Sequence, residues 1–161
     1  MFDREIRISK HLLNGFRNLV KDFDERELGK PIAGARNPPA FILSHLAVVH
    51  DFGLMILGKS PLCPREWQAK FGPGGKPEDV ASYAPKAELV ELIDRGVNAL
   101  QAAAAEAPQE LLARPHGVDF FNGTPIENVA DVVSLLLTTH FALHLGQLSL
   151  MRRQMGFAPL F

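Results

Sequence analysis

Cysteine, tryptophan and tyrosine each occur once in this chain. With Cys63 alone, no disulfide can form within the chain, which excludes a small secreted fold stapled by cross-links. Cys63 lies between Leu62 and Pro64 and reads as a loop residue rather than a nucleophile. An excess of one charge is lacking too: 17 Lys and Arg stand against 18 Asp and Glu, for a net charge of −1. The two signs are interspersed, so the basic stripe that nucleic-acid binding needs is absent. The one clustered basic pair, Arg152-Arg153, is expected to end a helix, where cations offset the negative end of the dipole. The start, Met1-Phe2-Asp3-Arg4-Glu5, lacks the apolar run of a signal peptide, so the cytoplasm is the expected location.

Charge is also lacking from Val132 to Met151, where no Asp, Glu, Lys or Arg occurs. A membrane span is not expected there. Ser134, Thr138, Thr139, His140, His144, Gln147 and Ser149 interrupt the run, and a lipid-facing helix does not carry so many polar groups without protein partners. A buried helix of a soluble protein fits better.

What the chain does have is 161 residues that are 47% hydrophobic, enough for a single domain, 1–161, with a real core. Apolar residues at helical spacing predict a first helix over 3 to 23. Asn37-Pro38 offers an N-cap followed by proline at the first helical position, so a second helix is expected from Pro38 to about Leu57, stopped by Gly58. Residues 59 to 85, rich in Pro and Gly, admit no regular element. In an all-α chain, a connection of that length is explained by a long crossover between parallel neighbours. A third helix is expected from Pro85 to Glu106, with Gly96 inside it at a cost of about 1 kcal/mol relative to alanine. Residues 107 to 123 read as a second connection. Thr124-Pro125-Ile126-Glu127 reads as a capping box opening a fourth helix that runs to about Met155. The second and fourth helices are apolar nearly all round. A four-helix bundle covers only their inward sides, so a homodimer packed through one or both of them is expected.

The fourth helix holds His140-Phe-Ala-Leu-His144. Successive residues are turned by about 100°, so positions i and i+4 project from one face, and two imidazoles so placed can grip one divalent ion. His45, in the second helix, is a candidate third ligand. Three imidazoles would leave coordination positions open, as in a catalytic metal site. His50 competes with His45, and because it points about 140° away, the two cannot easily serve one ion. His11 and His116 have weaker claims. Asp51 is either a carboxylate orienting an imidazole or a polar residue at the pocket rim. Gln147, seven residues past His140, could hydrogen-bond a ligand, a substrate or a partner helix.

The segment Asn37-Pro-Pro-Ala-Phe-Ile-Leu-Ser-His45-Leu-Ala is followed much later by His140-Phe-Ala-Leu-His144-Leu-Gly-Gln147-Leu-Ser-Leu-Met-Arg152-Arg153-Gln-Met-Gly156. Together they resemble the DinB/YfiT-like superfamily, and Lys70-Phe-Gly-Pro-Gly-Gly-Lys-Pro with Pro85-Lys-Ala-Glu-Leu fits one branch of it. The resemblance spans nearly the whole chain. It implies a four-helix bundle with a long crossover, commonly dimeric, and a divalent metal, often zinc or nickel, bound by three histidines. It assigns those ligands to His45, rather than His50, and to His140 and His144. Phe41 stands where many relatives have tryptophan, which keeps the apolar packing and loses an indole N–H.

Characterised relatives include metal-dependent S-transferases that use low-molecular-weight thiols. The resemblance therefore implies a metal-dependent transferase or hydrolase acting on a small electrophilic substrate, with a thiol or a water activated at the open metal position. No general base stands out, and His50 and Asp51 are the nearest candidates. Two other readings stay open: a non-catalytic, dimeric metal- or ligand-binding stress protein, and a bundle whose imidazoles merely hydrogen-bond.

Overall fold

A computed structural model describes residues 1–77 and 82–160, and among these the chain is helical, without strands. Residues 78–81, within the expected long connection, lie outside the described residues. Four long helical segments carry the structure. They are α1 (Asp3–Val20), α2 (Pro39–Ile56), α4 (Lys86–Glu106) and a composite final segment. That last segment comprises α6 (Val129–Leu135), a π-helical stretch (Leu136–His140) and α7 (Phe141–Gln154). The long segments touch in a closed ring: α1 packs on α4, α4 on α2, α2 on α7, and α7 on α1.

Helix α1 buries Ser9, Leu13, Phe16, Leu19 and Val20, a stripe with the three- and four-residue spacing of an inward face. Helix α2 begins one residue later than Asn37-Pro38 suggests. A residue that precedes proline is pushed out of the helical region, so Pro38, before Pro39, is extended (ψ 163°) and serves as the N-cap, with Pro39 at the first helical position. Gly58, at φ +73°, ends it as expected. Helix α4 opens through a tertiary contact: the Glu25 carboxylate, from the segment after α1, accepts the Lys86 N–H at 2.9 Å.

Both connections contain short helices where none was expected. The first holds α3 (Trp67–Phe71), and the second holds α5 (Gln109–Leu112) and a 3-10 turn, Asp119–Phe121. The final helical segment begins at Val129, not beside Thr124. The Thr124 hydroxyl is used in a turn, donating to the Phe121 carbonyl and accepting the Ile126 N–H, while the Ile126 carbonyl bonds His116. The capping box is instead formed by Asn128 and Asp131.

By length and composition, α2 and the stretch Val129–Gln154 could each cross a membrane. The most apolar window of α2 is 83% buried against the rest of the chain, the environment of a core helix. Its apolar girth is thus covered within one chain by α3, α4, α7 and the π stretch. The final segment is less covered: its corresponding window is 44% buried, with Leu143 and Leu150 exposed. Arg152 does more than offset a helix dipole. It is buried, pairs with Asp22 at 2.5 Å, donates to the Ala158 carbonyl and lies over the Phe157 ring, tying α1's exit and the last residues to α7.

Candidate metal centre

His45 projects from α2, His140 closes the π stretch and His144 stands one turn further along in α7. The structure brings the three together: one ring nitrogen from each lies within 4.8 Å of the others. Nε2 of His140 is 3.3 Å from Nε2 of His45 and 3.3 Å from Nε2 of His144.

The outward nitrogens set the tautomers. Nδ1 of His45 lies 2.6 Å from the Phe71 carbonyl, which can only accept, so this nitrogen carries the proton and Nε2 is a bare lone pair. Nδ1 of His144 lies 2.9 Å from Oε1 of Gln147, an acceptor, which fixes the same tautomer there. When neutral, His140 has at most one Nε2 proton, so it can donate to one neighbour and leaves the lone pair of the other without a donor. A shared cation relieves all three at once. The spacing fits: two nitrogens about 2.05 Å from one ion at a tetrahedral angle are ~3.3 Å apart. His45, His140 and His144 are therefore a group that could hold a divalent ion through Nε2, with Phe71 and Gln147 orienting two of the rings from behind.

Electrostatics favour the metal-ready neutral form. Burial lowers the pKa of His45, partly opposed by its bond to Phe71. His140 is pushed down to about 3 by burial, then by the neighbouring His144, His45 and His50. His144 falls to about 4 through burial and His45, against the Gln147 bond. The buried Nδ1 of His140 has no hydrogen-bond partner.

Sequence signals account for some of this. Thr138 donates its hydroxyl to the Ser134 carbonyl at 2.7 Å, competing with the backbone ladder, and the helix opens there into the π stretch. A π turn takes up one extra residue, so α6 is set back in phase relative to His140 and His144. The short helix α3 delivers the Phe71 carbonyl. Phe41 stacks on His45 with planes 7° apart, the packing role left to it without an indole. Neither the carbonyl nor the π stretch was foreseen, although two consecutive threonines in mid-helix are a readable hint.

Of the other candidates, His50, Asp51, His116 and His11 are not members of this group. His50 is buried between α2 and α4, its ring edge-on to Phe141, and burial holds its pKa at about 4. Both Asp51 carboxylate oxygens are engaged by the connection that follows α2, accepting the N–H groups of Leu62 at 2.9 Å and Cys63 at 2.6 Å. Burial and Asp51 push the Cys63 thiol pKa up, which disfavours a nucleophilic thiolate. His116 staples its loop by accepting from the Val118 N–H and donating to the Ile126 carbonyl. His11 lies on the outer groove between α1 and α7.

Two hollows flank His45. The larger, about 500 Å³, also reaches His140 and is walled by α2, the Gly72–Gly74 loop, the final segment and the 3-10 turn. The smaller, about 180 Å³, reaches His144 and Gln147 and is lined by Arg36 and Asn37. A family model described as the DinB superfamily matches residues 11–148. No curated protein matches the chain.

Proposed function

This chain belongs to the DinB superfamily, and on that footing we propose a divalent-metal-dependent enzyme that activates a thiol or a water for transfer to, or hydrolysis of, a small electrophilic molecule. The observation that carries the proposal is that Nε2 of His140 lies 3.3 Å from Nε2 of His45 and 3.3 Å from Nε2 of His144, beside a cavity of about 500 Å³. Zinc or nickel suits an all-imidazole donor set. An ion held there supplies Lewis acidity, which lowers the pKa of a thiol or water in its open position. The chain's own part is to keep His45 and His144 in the right tautomer through Phe71 and Gln147, and to line the approach with groups that exclude water. His50 and Asp51 enter this reading as residues that set α2 against its neighbours, since neither belongs to the group of three imidazoles.

The test begins with metal analysis of protein purified without a histidine tag, and of His140→Ala, which should carry no stoichiometric metal. A panel of electrophiles follows, with glutathione, bacillithiol, mycothiol or water as the nucleophile. Turnover that depends on metal supports the reading. A metal-replete chain inert across the panel removes it.

A second reading, a non-catalytic metal- or ligand-binding protein, is favoured by one observation: among the described residues, no Asp, Glu or Cys joins His45, His140 and His144 in the cluster. It predicts ligand binding without turnover in the same panel. Under either reading, the exposed outer face of the final segment, where Ala142, Gly146 and Leu150 line a groove with α1, is the proposed homodimer contact, and the proposed location is the cytoplasm. Solution mass at micromolar concentration tests the dimer, and a monomer there would rule it out.

A further inference from the structure

The larger cavity has a chemical character that the three imidazoles do not explain. Its walls include Val48 and Phe52 from α2, Leu136 from the π stretch, Leu143 from α7, and Phe120 and Phe121 from the 3-10 turn. Among the described residues, none that lines it is Asp, Glu, Lys or Arg. Gln68, the one polar side chain besides His45 and His140 among the described lining residues, already donates to the Val48 carbonyl at 3.0 Å. A charged group lying away from the imidazoles gives up hydration and finds no charged side chain among the described lining residues, which is costly. The rim points the same way. Phe120 is 73% exposed and Leu143 59% exposed, both beside the cavity, and an apolar body lying there takes their surface out of water. The contrast with the smaller hollow is sharp, since Arg36 lines that one.

We infer that the site selects an uncharged molecule whose aryl or alkyl body fills this cavity while a single donor atom reaches toward His45 and His140. The inference rests on the metal-dependent reading for the donor atom, but the apolar recognition stands on the cavity walls alone.

The experiment uses the full chain loaded with cobalt(II), whose visible spectrum reports a donor atom reaching the ion. It is titrated with imidazole, 4-phenylimidazole and 4-(imidazol-4-yl)benzoate, three probes with the same donor ring, the last carrying its carboxylate too far from that ring to chelate. The expected result is binding of 4-phenylimidazole at least tenfold tighter than imidazole, with the carboxylate no tighter than imidazole. Phe120→Asp, at an exposed position that tolerates substitution, should reduce the phenyl advantage to less than threefold while leaving cobalt content unchanged. Equal affinities for the phenyl and parent probes, or preference for the carboxylate, overturn the inference. Titration of the metal-free chain with the neutral dye N-phenyl-1-naphthylamine separates the two claims. A chain that takes no cobalt yet binds the dye, and loses it in Phe120→Asp, keeps the apolar recognition and sinks the metal reading. A chain that takes cobalt but shows neither dye binding nor phenyl preference sinks the inference alone.

Discussion

Gln147 Oε1 lies 2.9 Å from Nδ1 of His144, three residues earlier on α7, and this bond holds the imidazole with Nε2 turned toward His140. Gln147 itself is largely exposed, so its loss should not unfold the chain. Removing a partner that orients a metal-bound imidazole typically costs 10- to 100-fold in metal affinity. Gln147→Ala is therefore expected to weaken zinc binding by about tenfold or more, with the melting temperature of the metal-free chain unchanged. Competition against a chromophoric chelator measures the first and a thermal scan the second. Unaltered affinity would show that His144 holds its orientation without help.

Gly96 lets α4 lie close against α2 at His50. A Cβ built on Gly96 would sit 3.1 Å from the Cβ of His50. The obstructing atom is the root of a side chain rather than its flexible end, so a change of rotamer cannot move it and the helices would have to part. Alanine in mid-helix normally gains about 1 kcal/mol over glycine, while overpacking costs about 1–3 kcal/mol. Gly96→Ala is expected to lose stability by about 1 kcal/mol net, read as a lower urea midpoint at constant slope. A gain would mean that α2 and α4 have slack at this crossing.

Much of this architecture was legible, and the residues show why. The ends of α2, at Pro38 and Gly58, obey local rules, and its start lies one residue beyond the Asn37 signal because Pro39 keeps Pro38 out of the helical region. The pair His140 and His144 followed from spacing. The choice of His45 over His50 needed the family resemblance, because helical geometry alone left both open. What escaped was non-local. The start of the final segment depends on His116 holding the Ile126 carbonyl, the start of α4 on Glu25, and the orientation of His45 on a backbone carbonyl whose identity no side-chain pattern encodes. Arg152 looked like a dipole cap because its partners, Asp22 and Ala158, lie on other parts of the chain.

Asp51 ties the first connection to α2 through two N–H groups, and the same connection carries Phe71 to His45. Hydrogen bonds to a charged group contribute about 1.5–3 kcal/mol each, and the buried Cys63 N–H would be stranded without its acceptor. Asp51→Ala is expected to cost about 3 kcal/mol, to open residues 59–66 to limited proteolysis and to lower metal affinity. Asp51→Asn keeps one acceptor and should lose less. If saturating metal restores turnover in Asp51→Asn, Asp51 acts by holding the connection in place. A collapse of kcat at full metal occupancy and unchanged stability would instead make it a proton carrier.

Acid should destabilise the metal-free chain in a defined window. His50 is at about 4, His144 at about 4 and His140 at about 3 in the folded chain, against 6.5 for an unperturbed imidazole, and His45 is also lowered. Each folded value lies below its unfolded counterpart, so between these limits the unfolded chain binds more protons and stability rises with pH. The contribution is complete above about 6.5 and is lost as pH falls toward 4. At about 1.4 kcal/mol per pH unit, the span from 6.5 to about 4 makes His50 alone worth ~3 kcal/mol. The other imidazoles repel one another when charged, so their losses do not simply add. The expected outcome is a metal-free urea midpoint that is flat from pH 8 to 7 and falls steeply between 6 and 4. In His50→Leu, where the most buried of these rings no longer titrates, the slope should be shallower. Metal sharpens the contrast, because an ion held by neutral imidazoles must be displaced by protons before the rings can charge. Zinc at saturating concentration should therefore move the acid transition to lower pH. A transition unmoved by zinc, and equally steep in His50→Leu, would place the acid-labile groups elsewhere in the chain.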